Sequence, residues 1–228
     1  MLKQIESKLD LSVVTVDGQT LGENLAYAGV YDEDVIRPLD NPVYHQGSLA
    51  VLRGNLAPDG AVMKPAAAES RLHKHTGPAI VFDSYPEMKA AVEDETLDVT
   101  ADHIMVFRNA GPVGGPGMPE WGMLPIPVKL VKQGVRDMLR ISDARMSGTS
   151  YGACILHAAP EAAIGGPLAL VKNGDMIAVD VAARTLDLLV DKAELQARKQ
   201  GWQPPEQTVS RGYHWMSAQH IQQADKGC

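Results

Sequence analysis

Short apolar runs broken by Gly, Pro, Asn and Asp dominate the pattern along this chain, and most have the length of a strand rather than a helix. Residues 12–16 alternate and stop at Asp17-Gly18, a turn signal. Further strands are predicted at 48–52, 61–64, 79–83, 104–108 and 139–142. Residues 168–171 and 176–181 flank Lys172-Asn-Gly-Asp175, which reads as a hairpin turn, and 186–190 adds another strand. Helical spacing occurs at 1–10, where Leu2, Ile5 and Leu9 share a face, and at 86–93 and 125–138, both opened by proline. Residues 150–158 read as a small-residue helix. Asp191, with Glu194 three residues on, opens a last helix that Gly201 closes. About nine short strands and four or five helices do not alternate strictly. That disfavours a doubly wound sheet and predicts a mixed α/β fold, a β-barrel or sandwich with peripheral helices.

At 228 residues the chain is one large domain or two small ones, and it buries enough surface to need no staples. Lys plus Arg is 21 against 28 for Asp plus Glu, and the formal charge of −7 argues against nonspecific nucleic-acid binding. No apolar run approaches the ~20 residues of a membrane span. The first ten residues lack a signal-peptide core, so the chain reads as cytoplasmic. Its two cysteines, Cys154 and Cys228, make no disulfide framework and cannot supply an all-cysteine iron–sulfur site.

Two stretches carry candidate chemistry. Residues 109–120, Asn109-Ala-Gly-Pro-Val-Gly-Gly-Pro-Gly-Met-Pro-Glu120, hold four Gly and three Pro, a loop of fixed shape whose backbone can approach a ligand closely. It is either such a loop or a tight connection; the Lys-Ser/Thr that closes a phosphate loop is missing. Glu120 at its end is a solvated charge or a ligand to a hard metal such as Mg²⁺. The second stretch is Ile141-Ser-Asp-Ala-Arg-Met-Ser-Gly-Thr-Ser-Tyr-Gly152. Here Ser147 is an N-cap or a hydroxyl held near an anion at a positive helix end. Arg145 stands where a hydrolase elbow needs glycine, which excludes that motif. Asp143 and Arg145 pair with each other or hold Ser147. His73 and His75 read as solvated loop residues, His157 as a packed helix residue and Cys154 as buried and inert. Asn55 is a turn residue or faces a ligand, and Trp121 packs or walls a pocket. Val113, Met118, Trp121 and Met123 put much apolar area on one loop, as an interaction face or a self-contact would.

Taken together, Thr20-Leu-Gly-Glu-Asn24, Gly54-Asn-Leu-Ala-Pro-Asp-Gly60, Gly77-Pro-Ala79, Gly114-Gly-Pro-Gly-Met-Pro-Glu120, Ser142-Asp-Ala-Arg-Met-Ser-Gly148, Gly165-Gly-Pro167 and Asn173-Gly-Asp175 span nearly the whole chain. In that order they resemble the C-terminal domain of the dihydroxy-acid dehydratase / phosphogluconate dehydratase (IlvD/Edd) family. The form Asp-Ala-Arg-Met-Ser-Gly-Thr looks more like the sugar-acid (aldonate) dehydratases than the branched-chain biosynthetic enzyme. The resemblance implies a β-barrel with flanking helices of the swivelling β/β/α kind. It implies a hydro-lyase that turns a 2,3-dihydroxy acid into a 2-keto acid, with Ser147 as the base, Thr149 binding substrate or supporting Ser147, and Glu120 as a Mg²⁺ ligand. It also implies a [2Fe–2S] cluster, whose cysteines lie in an N-terminal domain preceding this one, and a homo-oligomeric full-length enzyme. Residues 1–228 are accordingly expected to form one C-terminal barrel domain, carrying half an active site and inert alone. The alternatives are a branched-chain dihydroxy-acid dehydratase, a non-catalytic binding module and an anion-binding domain built on the Gly-rich loop.

Overall fold

The computed structural model describes residues 1–120, 124–206 and 209–228. The chain divides into two units, Met1–Gly47 and Ser48–Cys228. In the first, a 3-10 helix at Leu2–Lys8 stands where the amphipathic helix was expected. Residues 12–16 give only an isolated bridge between Val14 and Thr20. Helix α1 (Leu21–Leu25) begins with a capping box: the Thr20 hydroxyl accepts the Glu23 N–H, and Glu23 accepts the Thr20 N–H at 2.7 Å. The stretch Thr20-Leu-Gly-Glu-Asn24 is thus a helix start.

The second unit contains a sheet of β1 (Ala50–Leu52), β2 (Gly60–Met63), β3 (Lys74–Phe82), β4 (Ile104–Phe107), β5 (Arg140–Ser142), β6 (Cys154–Ala159), β7 (Met176–Asp180) and β8 (Thr185–Leu188). Its spatial order is β1-β2-β6-β5-β4-β3-β7-β8. Strands β3 to β6 pair in parallel and the outer pairs are antiparallel. Past β1, the Arg53 N–H donates to the Arg184 carbonyl at 2.9 Å and Arg53 O accepts the Leu186 N–H at 3.0 Å, so the two edges meet and the sheet nearly closes into a barrel. The Asn55 side chain extends this seam. Its Oδ1 accepts the Leu188 N–H and its Nδ2 donates to Leu188 O at 2.8 Å, so Asn55 is a rung of the seam rather than a ligand contact.

Leu52, Met63, Ile104, Ile141 and Ile155 fill the interior. Strand β4 is buried on both faces. Ile104 and Val106 point inward, while Met105 and Phe107 join Met88 of α2 (Tyr85–Glu93) and Leu130 of α3 (Val128–Lys132) in a second apolar cluster outside the sheet. This is the expected mixed fold, a barrel-like sheet with flanking helices.

Several local expectations are corrected. Residues 150–158 are not a helix; from Cys154 on they belong to β6, which is buried on both faces apart from half-buried His157. Residues 168–171 form a 3-10 turn, Pro167–Leu170, because Pro167 favours a helical start. The Lys172–Asp175 turn is therefore no hairpin. It docks on β3, where Asn173 Oδ1 accepts the Val81 N–H at 2.7 Å. The helix expected at 125–138 shrinks to α3. Helix α4 (Lys192–Gly201) has no side-chain cap from Asp191, and Glu194 instead bonds Arg198 at 2.7 Å. Helix α5 (Tyr213–His220) lies in the polar tail. No helix among the described residues is long and apolar enough to cross a membrane.

The barrel seam yields a stability test. A Cβ on Gly54 would sit 2.1 Å from the Leu186 carbonyl oxygen, whereas one on Gly201 would meet open space. Gly54→Ala should lower unfolding stability by roughly 2 kcal/mol or more, as overpacking against backbone does. Gly201→Ala should change it by about 0.5 kcal/mol or less. Urea unfolding followed by tryptophan fluorescence checks both; equal effects would mean that the seam tolerates a side chain.

Candidate functional site

Strands β4 and β5 are parallel neighbours, so the loops after their C-terminal ends emerge on the same side of the sheet. The Gly-rich loop follows β4 and the Ser147 stretch follows β5. Two buried carboxylates fix the first loop. Asp143 accepts the N–H groups of Ala110 at 2.9 Å, Ala162 at 2.9 Å and Asn109 at 3.2 Å. Glu161 accepts those of Val113 at 2.9 Å and Gly114 at 2.8 Å, and also the Gln223 amide at 2.6 Å. A Cβ on Gly111 would lie 2.7 Å from Glu161 Oε2. The glycine there lets the backbone approach a carboxylate of its own chain. Asp143 does not pair with Arg145. Burial pushes its carboxyl up to about 6, against the pull of the three N–H donors.

Residues 147–150 form a turn, and the helix expected to begin there is absent. The Ser147 Oγ accepts the Thr149 N–H at 3.3 Å and lies 3.0 Å from the Thr149 hydroxyl. The Ser150 N–H donates to Ser147 O at 3.1 Å. Ser147 is half-buried and lines a cavity of about 530 Å³ together with Gly148, Lys64, Arg53 and His157. Among the described residues no helix begins at this turn; instead the Lys64 ammonium donates to Ser147 O and Gly148 O at 2.8 Å each.

Glu120 is exposed and pairs with Arg145 at 2.6 Å. Arg145 also donates from Nε to Met118 O and from its backbone to Pro119 O, both at 3.2 Å, tying the two loops together. Glu120 and Ser147 are therefore linked at one side of the sheet through Arg145, but Glu120 does not line the Ser147 cavity. Met118 is buried and touches Cys228, whose Sγ lies 3.4 Å from the Met118 sulfur, and Val113 is half-buried; this part of the apolar loop is a self-contact. Trp121 and Met123 lie outside the described residues.

Lys64 and His157 are the contributors that sequence reading passed over or misplaced. His157 is on β6, where the register slips from Gly60 opposite Ala159 to Val62 opposite Leu156. The extra residue is a β-bulge, and His157 takes a φ of +55°. Its N–H bonds Ala144 O at 3.0 Å, and its Nε2 accepts the Met146 N–H at 2.8 Å, which places the ring proton on Nδ1. Burial, then the Arg145 charge, lowers its pKa and so disfavours the charged ring. His73 and His75 each bond a backbone carbonyl, of Pro65 and Asp102. Cys154 is buried, and burial raises its thiol pKa. Among the described residues no group of three His, Cys, Asp or Glu side chains could hold a metal.

Residues 34–228 match the model of the dihydroxy-acid/6-phosphogluconate dehydratase C-terminal family. The chain belongs to this family. It is 54% identical over 231 residues to a 6-deoxy-6-sulfo-D-gluconate dehydratase of Pseudomonas putida, covering 100% of this chain and 40% of that protein. It is 50% identical over 221 residues to an L-arabonate dehydratase of Azospirillum brasilense, covering 94% and 38%. To a dihydroxy-acid dehydratase of Methanothrix thermoacetophila it is 43% identical over 233 residues, covering 100% and 42%. The chain thus spans about two fifths of the length of these family relatives.

The buried carboxylate gives this site a pH signature. The native Asp143 carboxyl titrates near 6 against an ordinary 3.8, so below about pH 4 its contribution to stability is whole. It is lost as pH rises through 6, a cost on the order of 3 kcal/mol. Unfolding free energies from pH 4 to 7 should show this fall in the wild type and not in Asp143→Asn, and carboxyl-carbon NMR should place the titration near 6. A native titration below 4 would contradict it.

Proposed function

We propose that this chain is the C-terminal part of a hydro-lyase that dehydrates an aldonic sugar acid to a 2-keto-3-deoxy acid, with Ser147 as the base. The observation that carries the reading is the Ser147 hydroxyl on a cavity wall, met by the Thr149 N–H and within bonding distance of the Thr149 hydroxyl. The Thr149 N–H donates to this oxygen, and a donor on a hydroxyl oxygen favours its ionised form. The sugar-acid class is supported by the relatives at 54% and 50% identity, both sugar-acid dehydratases by name, against 47% and 43% for two dihydroxy-acid dehydratases.

In this reaction Ser147, in its ionised form, takes the proton from C2 of the substrate. The electron pair left behind forms the C2–C3 double bond as the C3 hydroxyl leaves; that hydroxyl takes up the proton Ser147 collected and departs as water, which returns Ser147 to its ionised form. The enol then moves its hydroxyl proton to C3 and becomes the 2-keto acid. Thr149 supports Ser147 and binds substrate. The described residues do not form a complete metal site by themselves, and Glu120 offers one carboxylate to a Mg²⁺ ion. When bound, such an ion would stabilise negative charge on the substrate. An N-terminal domain bearing the other Mg²⁺ ligands and a [2Fe–2S] cluster is the implied partner, within a homo-oligomeric cytoplasmic enzyme.

Joining this chain to the N-terminal part of the Pseudomonas putida relative gives the test. The chimera should form 2-keto acid from 6-deoxy-6-sulfogluconate or arabinonate. Ser147→Ala should lower kcat by roughly 10³-fold or more, as loss of a general base does, with bound metal and iron unchanged. Glu120→Gln should reduce bound Mg²⁺. Retained turnover in Ser147→Ala would remove Ser147 from the base role.

A further inference from the structure

We propose that Lys64 is a positioning residue for Ser147: its ammonium group, holding the carbonyls of Ser147 and Gly148, sets the turn that aims the serine hydroxyl into the cavity. This rests on the reading of Ser147 as the base.

Lys64 follows β2 directly and reaches the turn from 83 residues away in sequence. Both of its bonds are 2.8 Å long. A charged donor on a carbonyl makes a bond roughly twice as strong as a neutral pair, and one cation on two successive carbonyls fixes their directions together. The turn needs such a restraint. No helix continues from it, so no ladder of backbone bonds organises residues 147–149. Packing does not hold the middle of the turn either: a Cβ on Gly148 would meet nothing within 4 Å, and Gly148 and Thr149 are exposed, between half-buried Ser147 and buried Ser150. The other restraints are the Ser150 N–H on Ser147 O, the Thr149 N–H and hydroxyl at Ser147 Oγ, and, upstream, His157 on the Met146 N–H and Arg145 on Met118 and Pro119.

The arrangement also has an electrostatic side. Lys64 places a full positive charge on the serine's own backbone carbonyl, and positive charge close to a hydroxyl favours its ionised form. The other charged groups around the turn are less direct. Arg145 is paired with Glu120, while Arg53, Asp59 and Asp225 line the wider cavity. Lys64 thus takes the place that a helix N-terminus would have filled.

The test has two arms. In the purified chain, amide exchange at Ser150 should speed roughly tenfold in Lys64→Met, while exchange in β2 and β6 stays unchanged, as for a local opening. In the chimera, Lys64→Met and Lys64→Gln should lower kcat by roughly 10²-fold, the scale of a misplaced reacting group, with KM within about threefold of the wild type. Lys64→Arg should recover at least about a tenth of the lost rate, since it keeps the charge and two donors. Wild-type kcat in Lys64→Met overturns the proposal. So does faster exchange throughout β2 and β6, which marks a structural strut. If Lys64→Met does not fold, Lys64→Gln and Lys64→Arg are read by the same criteria. Ser147→Ala run in parallel separates the two claims: turnover retained there strikes the base assignment, whereas an inactive Ser147→Ala beside a fully active Lys64→Met strikes Lys64 alone.

Discussion

A carboxylate buried in protein is tolerated only when donors are brought to it, and the loops of this barrel are arranged around two such groups. Asp143 and Glu161, each about 1% exposed, accept backbone N–H groups from residues 109–114 and 162. Leaving either acceptor unmet would cost more than a hydrogen bond usually contributes. The Gly-rich loop must therefore follow a path that delivers its N–H groups, and a side chain on Gly111 would block it. Gln223 completes the set from the tail, so one network joins the loop, the β5 end, the β6 end and the C-terminal segment.

The neighbouring Ser147 turn, exposed at Gly148 and Thr149, is held at its backbone. Arg145 anchors it to Met118 and Pro119, His157 accepts its Met146 N–H, and Lys64 takes two of its carbonyls. These side chains leave the Ser147 hydroxyl with Thr149 as its partner. A rigid frame with an adjustable hydroxyl suits proton transfer, because the geometry is set before substrate arrives. The left-handed φ of His157 and its place in a bulge fit the same pattern, with backbone strain concentrated where a side chain must be re-aimed.

Much of the barrel was legible in the sequence because its antiparallel edges and β4 are bounded apolar runs with turn residues between them. Strand β6 was not. Cys154, Ile155, Leu156, Ala158 and Ala159 are all buried, so the run has no period of two, and its small residues resemble a helix. Residues 168–171 failed for a related reason: four apolar residues carry no periodicity, and Pro167 decided the outcome. At the site, Ser147 and Glu120 stood out from local motifs, and the parallel β4–β5 pair explains why loops so far apart in sequence share one side of the sheet. Lys64 and Glu161 were illegible, and Asp143 stood out but with the wrong partners. Their partners are backbone atoms supplied by tertiary folding, and a backbone acceptor or donor leaves no residue type to read.

The central claim is that this turn presents Ser147 to the reacting carbon of a sugar acid. A crystal structure of the chimera with a 3-deoxyaldonate, which has no C3 hydroxyl to lose, tests it most directly. The account expects the ligand in the cavity between Lys64, Gly148 and His157, with its C2 about 3–3.5 Å from Ser147 Oγ, the separation of a near-attack geometry. A ligand bound with C2 beyond reach of Ser147, or seated outside that cavity, would contradict it.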